Sequence, residues 1–144
     1  MLVFLIDTTT KNAKIGLAED DKIIATDSWF ALQELAENLT ERIESLLQKN
    51  GKTLQQLEKI LVHSGPGGFS SLRIGVTEAN VLAFGLGIPV WGIEGEFTEL
   101  ADMLGKSASN AGSTVMPKYS HPPKIGIRPP IGASLALKGG KSDI

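Results

Sequence analysis

Ser64-Gly65-Pro66-Gly67-Gly68-Phe69-Ser70-Ser71-Leu72-Arg73-Ile74-Gly75 is the stretch from which the fold can be read. Ile60 to His63, just before it, has the character of a short strand, and Ser70 to Phe84, just after it, carries apolar and small residues at helical spacing. The glycines between them permit positive φ and close backbone approach, and the start of the helix offers unpaired N–H groups. Two readings follow: a purely structural strand-to-helix turn, or a cradle for an anion. The Lys-Ser or Lys-Thr pair of a nucleotide P-loop is missing, as is the third glycine of a dinucleotide fingerprint.

Outward from this turn the other elements fall into place. Ile88 to Ile93 reads as a buried strand. On the N-terminal side, Leu32, Leu35, Ala36, Leu39, Ile43, Leu46 and Leu47 recur at three- and four-residue steps, and Asn50-Gly51 supplies a left-handed stop signal, which predicts an amphipathic helix. Leu2 to Ile6 is an unbroken apolar run ending in Asp7, as expected of a strand buried on both faces whose carboxyl end delivers a polar residue to a cleft. Ala13 to Ala18 and Lys22 to Phe30 are strands joined through Glu19-Asp20-Asp21. The order βββαβαβ implies an α/β fold with a mixed five-stranded sheet, antiparallel on one side and parallel on the other.

Composition bounds the rest. The chain has 144 residues and a mass of 15.3 kDa, room for one ordinary domain and not for two. Residues 1–104 hold six Lys and two Arg against five Asp and ten Glu, a net −7. Residues 105–144 hold five Lys and one Arg against one Asp, a net +5, together with five of the seven prolines. The expected division is therefore a folded acidic lobe, 1–104, and an irregular basic tail, 105–144, in which proline excludes regular helix and inner strand. An acidic lobe repels phosphate backbones, so direct nucleic-acid binding is not expected of it. Cysteine is absent and only His63 and His121 could act as imidazole ligands, so no metal site is assigned. With no spanning run and no signal peptide, the expected location is the cytoplasm, away from membranes.

Candidate functional residues form two groups. Asp7, Thr8 and Thr9, with Gly65, Gly67 and Gly68, make two candidate phosphate-facing loops, although a lone carboxylate is no catalytic pair. The alternative is that Asp7 and the threonines satisfy backbone groups in a turn. On the second helix Gly75, Ala79 and Ala83 lie four apart on one face, and a mid-helix glycine makes sense where another backbone comes close. Spacing alone leaves open whether the chain's own sheet or another chain makes that contact. Arg73 sits in the first turn, where negative charge is preferred, so it calls for an acidic partner. Trp29, Phe30, Trp91 and Phe97 read as core and rim packing, and His63 as hydrogen-bonded rather than metal-bound.

LVFLIDTTT, the meander, the helix ending LLQKNG, SGPGGFSSLRIG and AFGLGIPVWGI together resemble the bacterial TsaB family, also called YeaZ, over residues 1 to about 100. The resemblance implies an actin-like (ASKHA, ribonuclease-H-like) single lobe. It also implies a non-catalytic partner of TsaD in forming N6-threonylcarbamoyladenosine at position 37 of tRNAs reading ANN codons, with no cofactor and no catalytic residue of its own. A TsaE-type ATPase belongs to the full complex, tRNA is touched only indirectly, and a homodimer forms when the chain is alone. The partner-binding surface implied is the first two helices, here Leu32, Leu35, Leu39 and Ile43 on one, and Leu72, Arg73, Gly75, Val76, Ala79 and Ala83 on the other, so that Ala79→Trp should abolish association. The chain departs from the family pattern at Gly68, Ser70 and Ser71, and at Leu35-Ala36-Glu37 where the family has His-Ser-Glu. It also lacks most of a second lobe, of which Met116 to Pro123 looks like a remnant. The alternative, from the enzyme class, is a small actin-like nucleotide-binding ATPase or phosphotransferase using Asp7 and the Gly65 to Gly68 turn.

Overall fold

The apolar run that opens the chain is the centre of the molecule. In the computed structural model, which describes residues 1–31, 35–106 and 110–112, all six residues of strand β1 (Leu2–Asp7) are buried. Antiparallel to it on one side runs β2 (Asn12–Glu19), followed by β3 (Lys22–Phe30) at the edge. Parallel to it on the other side runs β4 (Lys59–Gly65), then β5 (Val90–Glu94), then a short antiparallel β6 (Asn110–Gly112). The sheet order is β3-β2-β1-β4-β5-β6. Helices α1 (Leu35–Lys49) and α2 (Phe69–Leu86) make the crossovers, and α3 (Ala101–Leu104) is a single short turn after β5.

The five expected strands and both expected helices are present, with ends shifted by a few residues. β6 is an addition. It falls in the stretch assigned to the irregular tail, but the first proline beyond Gly105 is Pro117, so nothing in residues 110–112 forbids a short edge strand. Residues 113–144, and with them the suggested second-lobe remnant, lie outside the described residues.

Local chemistry explains the turns. Asp20 and Asp21 both have positive φ, 53° and 66°, the type I′ geometry that matches the twist of the β2–β3 hairpin. At the end of α1, Gly51 adopts φ +69°. The Lys52 N–H donates to the Leu47 carbonyl at 2.9 Å and the Gly51 N–H to the Gln48 carbonyl at 3.1 Å, a Schellman cap.

Side chains alternate between the two faces of the sheet, and each face has its own core. Leu2, Phe4 and Ile6 of β1 join Ala13, Ile15 and Leu17 of β2 beneath α1 and α2, which contribute Leu35, Leu39, Ile43, Leu46 and Leu47, and Leu72, Val76, Ala79 and Ala83. Val3 and Leu5 face the other way, against Leu61, Ile93, Leu100 and Met103. The stripe of small residues on α2 therefore packs on the chain's own sheet. Its notch is filled by Thr8: a Cβ built on Gly75 would lie 2.1 Å from the Thr8 hydroxyl oxygen, and that hydroxyl donates to the Ser71 carbonyl at 2.7 Å.

Gly75→Ala should consequently lower stability by about 1 to 3 kcal/mol through overpacking. Gly85→Ala, at a helical position with open space around it, should raise it by about 0.5 to 1 kcal/mol. Chemical denaturation of the two variants checks both signs.

Candidate functional site

Two regions concentrate the functional candidates. The first lies at the carboxyl ends of the parallel strands, where open α/β sheets bind ligands. β1 and β4 are in register through Ile6 and Val62. One step further along each strand brings Asp7 beside His63. His63 Nδ1 lies 3.2 Å from Asp7 Oδ2, and both side chains are almost fully buried. The other Asp7 oxygen, Oδ1, accepts the Thr9 N–H at 3.0 Å and the Thr9 hydroxyl at 2.7 Å. His63 Nε2 donates to the Gly95 carbonyl at 2.7 Å, and the ring stacks on Phe97 with centroids 3.9 Å apart. Lys106 Nζ lies 5.5 Å from the Phe97 ring.

These groups form one wall of an open cleft of about 970 Å³, lined also by Thr9, Thr10, Pro66, Glu96, Thr98 and Asp102. The two loops expected to face a phosphate are indeed brought together: a Cβ at Gly67 would lie 2.8 Å from that of Thr9, and the Gly68 N–H donates to the Thr9 carbonyl at 3.1 Å. Their polar groups are spent on one another, since Asp7, Thr8 and Thr9 are buried. Among the described residues no group of three or more His, Cys, Asp or Glu could hold a metal ion. Nor is any helix there long and apolar enough to cross a membrane.

Burial pushes the Asp7 carboxyl upward, but the hydrogen bond and charge of His63 and the bonds from Thr9 outweigh it, so the group is held below its ordinary value of 3.8. A carboxylate whose folded value is depressed stabilises the fold above the unfolded value, and that contribution disappears as pH falls through the folded one.

The second region is the outer face of α1 and α2. A shallow groove of about 470 Å³ runs between the helices, lined by Ala36, Ser70, Arg73, Ile74, Thr77 and Glu78. Thr40 donates to Glu78 Oε2 at 3.0 Å across it. Further along α2, Val81 is 62% exposed and Phe84 85% exposed. Arg73 is exposed and makes no ion pair among the described residues. The expected acidic partner is not found among the described residues.

Relatives can be set beside this geometry. Residues 30–95 match the family model described as TsaD: tRNA N6-adenosine threonylcarbamoyltransferase. The tRNA threonylcarbamoyladenosine biosynthesis protein TsaB of Bacillus subtilis (strain 168) is 34% identical over 90 residues, 62% of this chain and 39% of that protein. YeaZ from Pseudomonas aeruginosa superposes with a TM-score of 0.60 at 25% identity, over 65% of this chain and 43% of its own. The lobe resembles the TsaB (YeaZ) proteins in sequence and fold. T. thermophilus RuvC, solved in complex with a Holliday junction substrate, shares the fold, with a TM-score of 0.51 at 14% identity over 74% of this chain and 89% of its own. The likeness to RuvC is one of fold, a mixed sheet with crossover helices. The chain spans less than half the length of the TsaB and YeaZ proteins it matches.

The partner-binding residues assigned from the resemblance need correction. Leu35, Leu39, Ile43, Leu72, Val76, Ala79 and Ala83 are each no more than 2% exposed, and Gly75 is also buried. The lobe's own sheet covers them, so none can meet a partner, and Ala79→Trp would disrupt the core instead of blocking an interface. Periodicity identifies the covered face of a helix but not what covers it. Of the assigned set Arg73 is on the outer face, and Leu32 lies outside the described residues. The outer residues that were missed, Ile74, Thr77, Val81 and Phe84, carried a signal: α2 has apolar residues on both sides, which a helix needs only when both sides are covered. The pairing of Asp7 with His63 was missed because it depends on strand register.

Asp7→Asn should lower stability at neutral pH by roughly 1 to 3 kcal/mol. It should also flatten the loss of stability expected of the unaltered chain as pH falls below about 5. Urea unfolding across that range checks both.

Proposed function

We propose that the lobe is a non-catalytic docking subunit of the cytoplasmic machinery that forms N6-threonylcarbamoyladenosine in tRNA. In this reading the outer face of α1 and α2 receives the equivalent helices of a TsaD-type catalytic subunit, or of a second copy of the chain when that subunit is absent. A TsaE-type ATPase joins the assembly, and tRNA is reached through the partner. The observation that carries the reading is the exposure of Val81 and Phe84, in line with an exposed Arg73 that makes no ion pair among the described residues, on a helix whose opposite face is already buried.

The physics of association favours this face. Exposed aromatic and Arg side chains are the usual anchors of protein interfaces, and a standard interface covers about 800 Å² per partner. Val81 and Phe84 would supply apolar anchors, and Arg73 would meet a carboxylate, which it does not do among the described residues. Exclusion of water from that pair makes it sensitive to charge reversal. The commitment of Asp7 and the threonines to internal hydrogen bonds supports a role without catalysis.

The double variant Val81→Asp, Phe84→Asp should weaken titrated binding to the TsaD-type subunit by about 100-fold or more. Its thermal unfolding midpoint should stay close to that of the unaltered chain, because both side chains are exposed. Undiminished binding would overturn the assigned face, and turnover of ATP with magnesium by the chain alone would overturn the non-catalytic reading.

A further inference from the structure

The outer face of α1 and α2 is divided by charge. Glu37, Glu41 and Glu44 recur at three- and four-residue steps along α1, on the side away from Leu39, Ile43 and Leu46, and all three are exposed. Glu37 lies in the first turn, where the unpaired N–H groups of a helix favour a carboxylate. Glu41 and Glu44 have no such reason. Three and four places to either side of them stand only acidic, polar and apolar residues, so no base lies within reach along the helix, and like charges at this spacing weaken it. Arg42, between them in sequence, is engaged with β3 instead. Its guanidinium donates to both oxygens of Asp27, at 3.1 and 3.0 Å, and lies 4.5 Å from the centre of the Trp29 ring.

Across the groove, Glu78 of α2 accepts the Thr40 hydroxyl and adds a fourth carboxylate. Arg73 is the base that α2 presents beside them. Four carboxylates against one guanidinium leave this face a surplus of three negative charges. None of the four makes an ion pair among the described residues. The acids adjoin the apolar part of the same face, where Val81 and Phe84 are exposed. Two unlike features thus lie side by side, one that gains by being covered and one that restricts what can cover it.

We propose that this acidic crest selects the occupant of the docking face: a protein surface with a surplus of Lys and Arg opposite α1, apolar sockets for Val81 and Phe84, and a carboxylate for Arg73. The inference rests on the docking reading given above and adds to it the partner's charge. Complementary charge steers encounter and suppresses wrong partners, because like charges brought together exclude them. A second copy of the chain is such a wrong partner. It carries the same surplus, so the two faces together hold an excess of six negative charges whichever way the copies are turned. Self-pairing is therefore the weaker occupancy, and it gives way when a basic surface is present.

Stopped-flow association of the full chain with a purified TsaD-type subunit tests this. Raising the ionic strength from about 0.01 M to about 1 M shortens the screening length from about 30 Å to about 3 Å. The association rate should fall by about tenfold or more over that range. In the triple variant Glu37→Gln, Glu41→Gln, Glu44→Gln the rate at low ionic strength should drop by about tenfold and its salt dependence should flatten. The fold should be kept, since all three side chains are exposed. Sedimentation of each chain alone at low ionic strength should show the triple variant more self-associated than the unaltered chain. A triple variant that matches the unaltered chain in association rate or in self-association would overturn the charge selection. If the Val81→Asp, Phe84→Asp variant still loses binding in that case, the docking face stands and the acidic crest alone is refuted; if that variant binds normally, the face itself is refuted.

Discussion

Two-sided burial of β1 is the constraint on which the rest of the structure depends. A strand of six buried residues, Leu2–Asp7, needs a neighbour on each edge and a layer on each face. β2 and β4 supply the edges, α1 and α2 one face, and Leu100 and Met103 the other. Thr8, the residue following the strand, then determines how close α2 may come, because its side chain occupies the space where Gly75 has no Cβ. Small residues on α2 are thereby an adaptation to the lobe's own sheet and to the Thr8 side chain.

Two candidate surfaces result, and they are distinct. Once the inner face of α2 is committed to the sheet, Val81 and Phe84 remain as exposed apolar groups. The cleft at the strand ends lies elsewhere, between loops tied together by the buried Asp7–His63 pair. A docking role draws on the first surface. Separation of the two allows each to be altered without disturbing the other, and substitutions at Phe84 and at His63 should act independently, as sites without shared partners do.

Much of the fold was legible in the sequence because the relevant signals are local. The apolar run Leu2 to Ile6, the Asp20-Asp21 turn and the Asn50-Gly51 stop each specify a backbone conformation from neighbouring residues, and each is found as expected. What was not legible depends on residues distant in sequence. The partner of the Gly75 notch is Thr8, 67 positions away. The ion pair at the cleft needs the register of β1 against β4, which no single segment encodes. Strand β6 is three residues long and gains its identity from pairing with β5, so composition alone could not reveal it.

The central claim is that the outer, and not the small-residue, face of α2 meets a partner, and thiol labelling tests it most directly because the chain has no cysteine of its own. A cysteine placed at Phe84 should label rapidly in the isolated chain and become protected when the TsaD-type subunit is added, whereas one placed at Ala79 should be slow in both. Rapid labelling at position 79 that the partner suppresses, or labelling at position 84 that the partner leaves untouched, would contradict it.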